Sequence, residues 1–160
     1  MQNDISVGLG EIKVSSNPQD VLIAFGLGSC VGIGMYDPVA HIGGLLHAVL
    51  PIANSDDSSS GKYVDSGVHG LLKEMQKAGA IKSRIVVRIA GGANMLTSPG
   101  LLSTFDIGTR NIDSALKVLR DLGFIIKSKE IGGQIGRTVR LYISDGRMTI
   151  RIMGGKEKEF

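Results

Sequence analysis

A single thiol and three imidazoles carry most of the chemical potential of this sequence: Cys30, and His41, His47 and His69. Cys30 stands in GLGSCV, between a glycine pair and a strand, where backbone N–H groups can converge on whatever the sulfur attacks. A nucleophilic thiol must give up its proton, and an imidazole is the usual acceptor. His41 falls in the turn after Asp37-Pro38, and His69 lies on a helix. His47 sits in the middle of IGGLLHAVLP, a strand that follows the Cys30 strand after one turn, so the two strands can pair and bring sulfur and imidazole together. Residue types alone leave a blander reading open, in which Cys30 is a small buried hydrophobe and His47 a hydrogen-bonded strand residue. No helix starts directly after Cys30 to lower its pKa, so activation falls to the imidazole.

Other motifs are weaker. Gly26, Gly28 and Gly32 have the look of a dinucleotide turn, but a strand follows where a helix is required, and LLHAVLP occupies the place of the ribose-binding acid. No His/Cys cluster has zinc spacing, and Asp56-Asp57 in a Ser-rich stretch reads as solvated, so neither a metal nor a cofactor is expected. Gly91, Gly92 and Asn94 in AGGAN, with Arg110 and Asn111, either shape a cleft or form a structural corner and a helix cap.

The elements that must position these groups follow from pattern. Strands are expected at 12–15, 21–25, 31–36 and 42–50, each bounded by Asn-Pro, Gly or Asp-Pro signals. Asn54–Gly61 reads as a mobile polar loop ending in a helix cap. Val64, Val68, Leu71, Leu72 and Met75 then recur at helical steps, with Gly79 as terminator. A strand over 84–90 runs into the AGGAN corner and a Ser98-Pro99-Gly100 loop, and a second helix starts near Asn111 and ends at Gly123. The last third reads as a strand over 125–131 and two more, 137–144 and 147–153, joined at Asp145-Gly146, with KEKEF as a solvated charged tail.

Composition bounds the rest. The 160 residues, 42% apolar and 21% charged, suit one globular domain spanning 1–160, with enough buried surface to need no staple. One cysteine and no leader pattern point to the reducing cytosol. The longest uncharged stretch contains four glycines and is too short to insert in a membrane. A net charge of +3 with no Trp argues against nucleic acid as a partner. The 23 glycines are neither periodic nor accompanied by many prolines, so they punctuate strands and turns.

Six blocks, GLGSCVGIGMYDP, GGLLHAVLP, GKYVD, RIAGGANML, IGTRNI and IGGQIGRTV, closely resemble the CheD family of chemoreceptor glutamine deamidases, in family order and over about Gly8 to Gly155. The resemblance implies an α/β fold of packed mixed β-sheets flanked by two amphipathic helices, similar to the catalytic domain of cytotoxic necrotizing factor. It implies a protein-glutamine glutaminase that converts receptor glutamines to glutamates, with Cys30 as nucleophile and His47 as base; backbone N–H groups of Cys30 and its neighbours in the Gly28-Ser29 turn are expected to hold the oxyanion. Studied relatives carry a threonine six residues before the cysteine, where this chain has Ala24. The expected substitute is a backbone carbonyl at Ala24, which would fix the histidine tautomer. Implied partners are chemoreceptor cytoplasmic domains and the CheC phosphatase, in the cytoplasm. The missing hydroxyl keeps a second class of function open, a CheC-binding regulatory module with little or no catalysis. A redox or phosphate sensor built on the thiol is a third reading. Arg137, Arg140, Arg147 and Arg151 either steer an acidic receptor or form a solvated strand face.

Overall fold

The computed structural model describes residues 1–53, 61–95 and 106–160. The expected Ser-rich loop before Gly61 and the Ser98-Pro99-Gly100 loop lie outside the described residues. Among the described residues ten strands form two five-stranded sheets. The first holds β1 (Asn3–Ser6), β3 (Asp20–Leu27), β8 (Arg137–Tyr142), β9 (Met148–Ile152) and β10 (Lys158–Glu159), in that spatial order. The second runs β2 (Ile12–Ser15), β5 (Ile42–Ala48), β4 (Val31–Asp37), β6 (Val86–Gly91) and β7 (Ile126–Ile131). The β1–β3 and β6–β7 pairs are parallel and the others antiparallel, so both sheets are mixed.

Three layers result, because the second sheet is covered twice. Val31, Ile33 and Met35 alternate outward from β4 against the apolar stripes of α1 (Val64–Lys77) and α2 (Ile107–Asp121). Leu45 and Ala90 point the other way, into a second core shared with Leu22, Leu27, Val139 and Leu141 of the first sheet. Every residue of β4 and β5 is buried as a consequence. Glycine lets the sheets close on this inner face: a Cβ at Gly32 would lie 3.0 Å from Leu27 Cδ1, and one at Gly34 would fall on Met148 Sδ.

The β4–β5 hairpin sets which residues share a face, and its turn is held by a buried carboxylate. Asp37 accepts from the N–H groups of Val39, Ala40 and Ile81 and takes a two-pronged contact from Arg84, at 2.9–3.1 Å. Burial pushes this carboxyl upward, but Arg84 and the three N–H groups outweigh it and hold the pKa at about 2. Because the folded value lies below the ordinary 3.8, the contribution is complete above pH ~4 and drains away as pH falls toward 2. Asp37→Ala, which strands Arg84 and three N–H donors, is expected to cost about 3 kcal/mol at neutral pH. In denaturant melts at stepped pH, the gap between Asp37→Asn and the parent should narrow between pH 4 and pH 2. A gap that stays constant would contradict this account.

Three elements differ from expectation. β1 was not anticipated, because NDIS is short and polar; it is a parallel edge strand on β3, held through backbone pairing. The helix expected from Asn111 begins at Ile107, one turn earlier. The charged tail is not simply solvated: Lys158 and Glu159 pair with β9, Phe160 packs against the inter-sheet core, and Glu157 accepts from the Tyr142 and Thr149 hydroxyls. Strand ends also retreat, β5 stopping at Ala48 and the last hairpin turning over residues 143–147, with Gly146 at φ +78° against the Tyr36 ring. Among the described residues no helix is long and apolar enough to cross a membrane.

Candidate active site

Strand register decides whether Cys30 and His47 can cooperate. His47 pairs with Gly32, so its side chain stands on the inner, glycine-lined face of β4 and β5. Cys30 lies two residues before Gly32, just outside β4, and packs against the same inter-sheet core. Continuing the register one step sets Cys30 opposite Val49, which makes His47 its diagonal neighbour on that face, roughly 7 Å away by sheet geometry. The thiol is half-buried. Burial raises its pKa, and its own backbone N–H, set against the sulfur, lowers it by less. At neutral pH it is therefore a thiol that needs a base.

The imidazole is ordered by a segment that no strand pattern announced. Val7 donates its N–H to Ile23 O at 2.7 Å, at the end of the β1–β3 ladder, and its own carbonyl accepts from His47 Nδ1 at 2.9 Å. A carbonyl can only accept, so Nδ1 carries the hydrogen and Nε2 presents a lone pair. Gly10 N–H donates to the His47 carbonyl, and the His47 N–H donates to Glu11 O, so Val7–Glu11 grips this residue at three points. Nε2 is buried and has no hydrogen-bond partner among the described residues, the Cys30 sulfur included. His47 is only 3% exposed, and an orphaned acceptor at that depth costs roughly 1–3 kcal/mol, so it asks for a reason.

The carbonyl that holds the tautomer is thus Val7's and not, as expected, Ala24's. Ala24 lies within β3, paired to Val139, with its methyl fully buried in the inter-sheet core. Parallel pairing of β1 brings Val7 to the imidazole in its place. Directly after Ala24 the β3–β8 register slips, with Gly26 at φ +61° and its N–H donating to Thr138 Oγ1 at 3.2 Å. This bulge turns the chain toward Cys30.

The Gly28-Ser29-Cys30 turn is pinned through its carbonyls. Gly28 O accepts from Ala93 N at 2.8 Å, Ser29 O from Asn111 Nδ2 at 2.8 Å, and Cys30 O from Gly92 N at 2.9 Å. All three donors belong to one corner, where the first turn of α2 sits on Gly92 and Ala93. In a trans peptide the N–H points away from its carbonyl, so the Ser29 and Cys30 N–H groups point away from this corner, and the Cys30 N–H lies against its own sulfur. The corner requires glycine: at Gly91 (φ +102°) a Cβ would fall on Cys30 O, and at Gly92 (φ +68°) on Ile112 Cγ1.

Asn111 is not the helix cap that its position suggested. It lies one turn inside α2, fully buried, and also donates to Val49 O at 2.9 Å. One amide therefore ties the turn before Cys30 to the chain just beyond His47. Its Oδ1 has no partner among the described residues.

The remaining candidates fall elsewhere. His41 (φ +55°) bonds the Tyr36 hydroxyl in the β4–β5 turn, and His69 is exposed on α1. Among the described residues no group of three His, Cys, Asp or Glu side chains is placed to hold a metal ion.

Comparison with known proteins decides the family. Residues 49–152 match the family model described as CheD chemotactic sensory transduction. A protein of Symbiobacterium thermophilum named "Probable chemoreceptor glutamine deamidase CheD" is 40% identical over 157 residues, 96% of this chain and 95% of the relative. The chain belongs to the CheD family. Another member, "Chemoreceptor glutamine deamidase CheD" of Thermotoga maritima, is 39% identical over 152 residues, covering 95% and 94% of the two chains. One from Archaeoglobus fulgidus, named as probable, is 40% identical over 98% of both. The part matched by the CheD model begins two residues after His47, so it contains Asn111 and the AGGAN corner, while the thiol and imidazole precede it.

Proposed function

We propose that this chain is a cysteine-dependent deamidase that converts glutamine side chains of chemoreceptor cytoplasmic domains to glutamate. The observation that carries the reading is the unpartnered Nε2 lone pair of His47, ordered by Val7 O on the face it shares with Cys30. The names of the relatives supply the substrate class.

Substrate arrival brings the thiol within reach of Nε2, a closing that resting enzymes commonly leave incomplete. His47 takes the proton, the sulfur adds to the amide carbon, and the oxygen becomes negative where the Cys30 and Ser29 N–H groups point. Each such donor contributes about 3–4 kcal/mol to lowering the barrier. The protonated imidazole returns its proton to the departing nitrogen, the C–N bond breaks, and ammonia leaves a thioester on Cys30. Water, deprotonated by His47, adds to the thioester; the C–S bond breaks, and glutamate and the free thiol result. Val7 O steadies the imidazolium that forms in both halves, a part that a carboxylate or amide takes in other triads.

The test is incubation with receptor cytoplasmic fragments, followed by peptide mass mapping. A one-dalton gain at glutamine with stoichiometric ammonia is expected from the parent chain and not from Cys30→Ala. Absence of any gain, or its persistence in Cys30→Ala, would reject the reading. On the resemblance alone we extend it to CheC as a partner, whose binding should survive Cys30→Ala.

A further inference from the structure

Of the eleven large hydrophobic side chains exposed among the described residues, five line a single open groove of about 720 Å³: Phe25, Met95, Ile135, Ile152 and Met153. Phe25 is 55% exposed and Met153 94%. Scattered exposed hydrophobes need no explanation, but a contiguous group on an ordered face does. The groove walls also present Arg137, Arg140 and Arg151, and among the described residues no Asp or Glu lines it. Arg137 is fixed by donating to Gly91 O and Gly132 O, and Arg151 gives its Nε–H to Gly155 O. Glu157, which feels Arg140, is held by Tyr142 and Thr149 and stands outside the lining.

We propose that this groove is the docking surface for the receptor segment that carries the target glutamine, and that it selects an amphipathic helix with an apolar ridge flanked by carboxylates. The proposal rests on the deamidase reading and names the recognition element of that same site. Continuity supports it: Phe25 and Gly26 form the bulge that leads into the Cys30 turn, and Met95 packs on Gly28, its Sδ 3.4 Å from where a Cβ would stand. Charge supports it too, since three guanidinium groups beside apolar side chains complement an acidic, apolar segment and repel a basic one. The shape of the sheet selects a helix. Its central wall, β8, is paired with β3 on one side and β9 on the other, so an extended segment cannot add to it as a strand.

The experiment has two arms, each using the full chain and a receptor cytoplasmic fragment. In the first, initial deamidation rates are compared for the parent, Arg140→Glu/Arg151→Glu and Phe25→Ser. KM is expected to rise about tenfold in both variants with kcat within about twofold, and lysine in place of the fragment's carboxylates beside the target glutamine should restore the arginine variant. In the second arm, Kd for the fragment is measured in a Cys30→Ala background, where the same surface changes should weaken binding about tenfold. Unchanged KM or Kd in both variants overturns the groove. Failure of the parent to deamidate any fragment overturns the enzymatic reading instead, while the binding arm still decides the groove.

Discussion

Removing the sulfur of Cys30 or the basic nitrogen of His47 is expected to lower the deamidation rate at least about 10⁴-fold, because the two act as one unit and neither has a substitute. Among the described residues the other unpartnered nitrogen on the inner face is Arg88 Nε, and a guanidinium has no lone pair with which to take a proton. Cys30→Ser is the more telling change at position 30, since a hydroxyl keeps the size and still fails: the imidazole that suffices for a thiol is a weak base for an alcohol without the full hydrogen-bonding support of a serine hydrolase. At position 47, glutamine is the informative replacement. It can still donate to Val7 O, so the grip of Val7–Glu11 survives, but it offers no proton acceptor of useful basicity. Thermal melts near the parent's, together with lost one-dalton gain, are the expected pair of results. Activity within about tenfold of the parent in His47→Gln would take the base role away from His47.

Asn111→Asp should produce the second largest loss, a fall in kcat of about 10²–10³ with KM changed only a few-fold. The side chain is fully buried and gives one N–H to Ser29 O and one to Val49 O. A carboxylate in its place has no hydrogen to give and sets oxygen against two carbonyl oxygens, so the Ser29-Cys30 peptide must turn and its N–H leaves the sulfur's side. Alanine removes the donors without the repulsion and should fall between the two. A purely structural role would lower stability but leave kcat per folded molecule unchanged. The kcat and KM split, measured below the melting temperature, separates these outcomes, and an unaltered kcat in Asn111→Asp would contradict the positioning role.

Local hairpin logic made the centre of this molecule legible. Asp37-Pro38 marks a turn between two buried-type strands, and the register that follows puts Gly32 opposite His47. The helices were readable from their apolar stripes and terminal glycines, Gly79 and Gly123, both at positive φ. What supports the site was harder to read, because it is held by backbone and by contacts distant in sequence. Val7 acts through its carbonyl, which any residue type carries, and reaches His47 forty positions on only because a polar four-residue strand pairs parallel to β3. Asn111 looked like a cap because caps and buried amides use the same residue type, and its partners are sixty or more positions away. The tail was misread for a similar reason: charge predicts solvation, but an edge strand is held by its backbone, and the Phe160 that follows it reaches the core.

The most direct measurement is an acid-quenched single turnover with a receptor fragment, digested and mapped for a covalent adduct. A glutamyl thioester on Cys30, with ammonia already released and the adduct absent in His47→Gln, is the predicted result. Turnover with no adduct on Cys30, or with the adduct on another residue, would contradict the account.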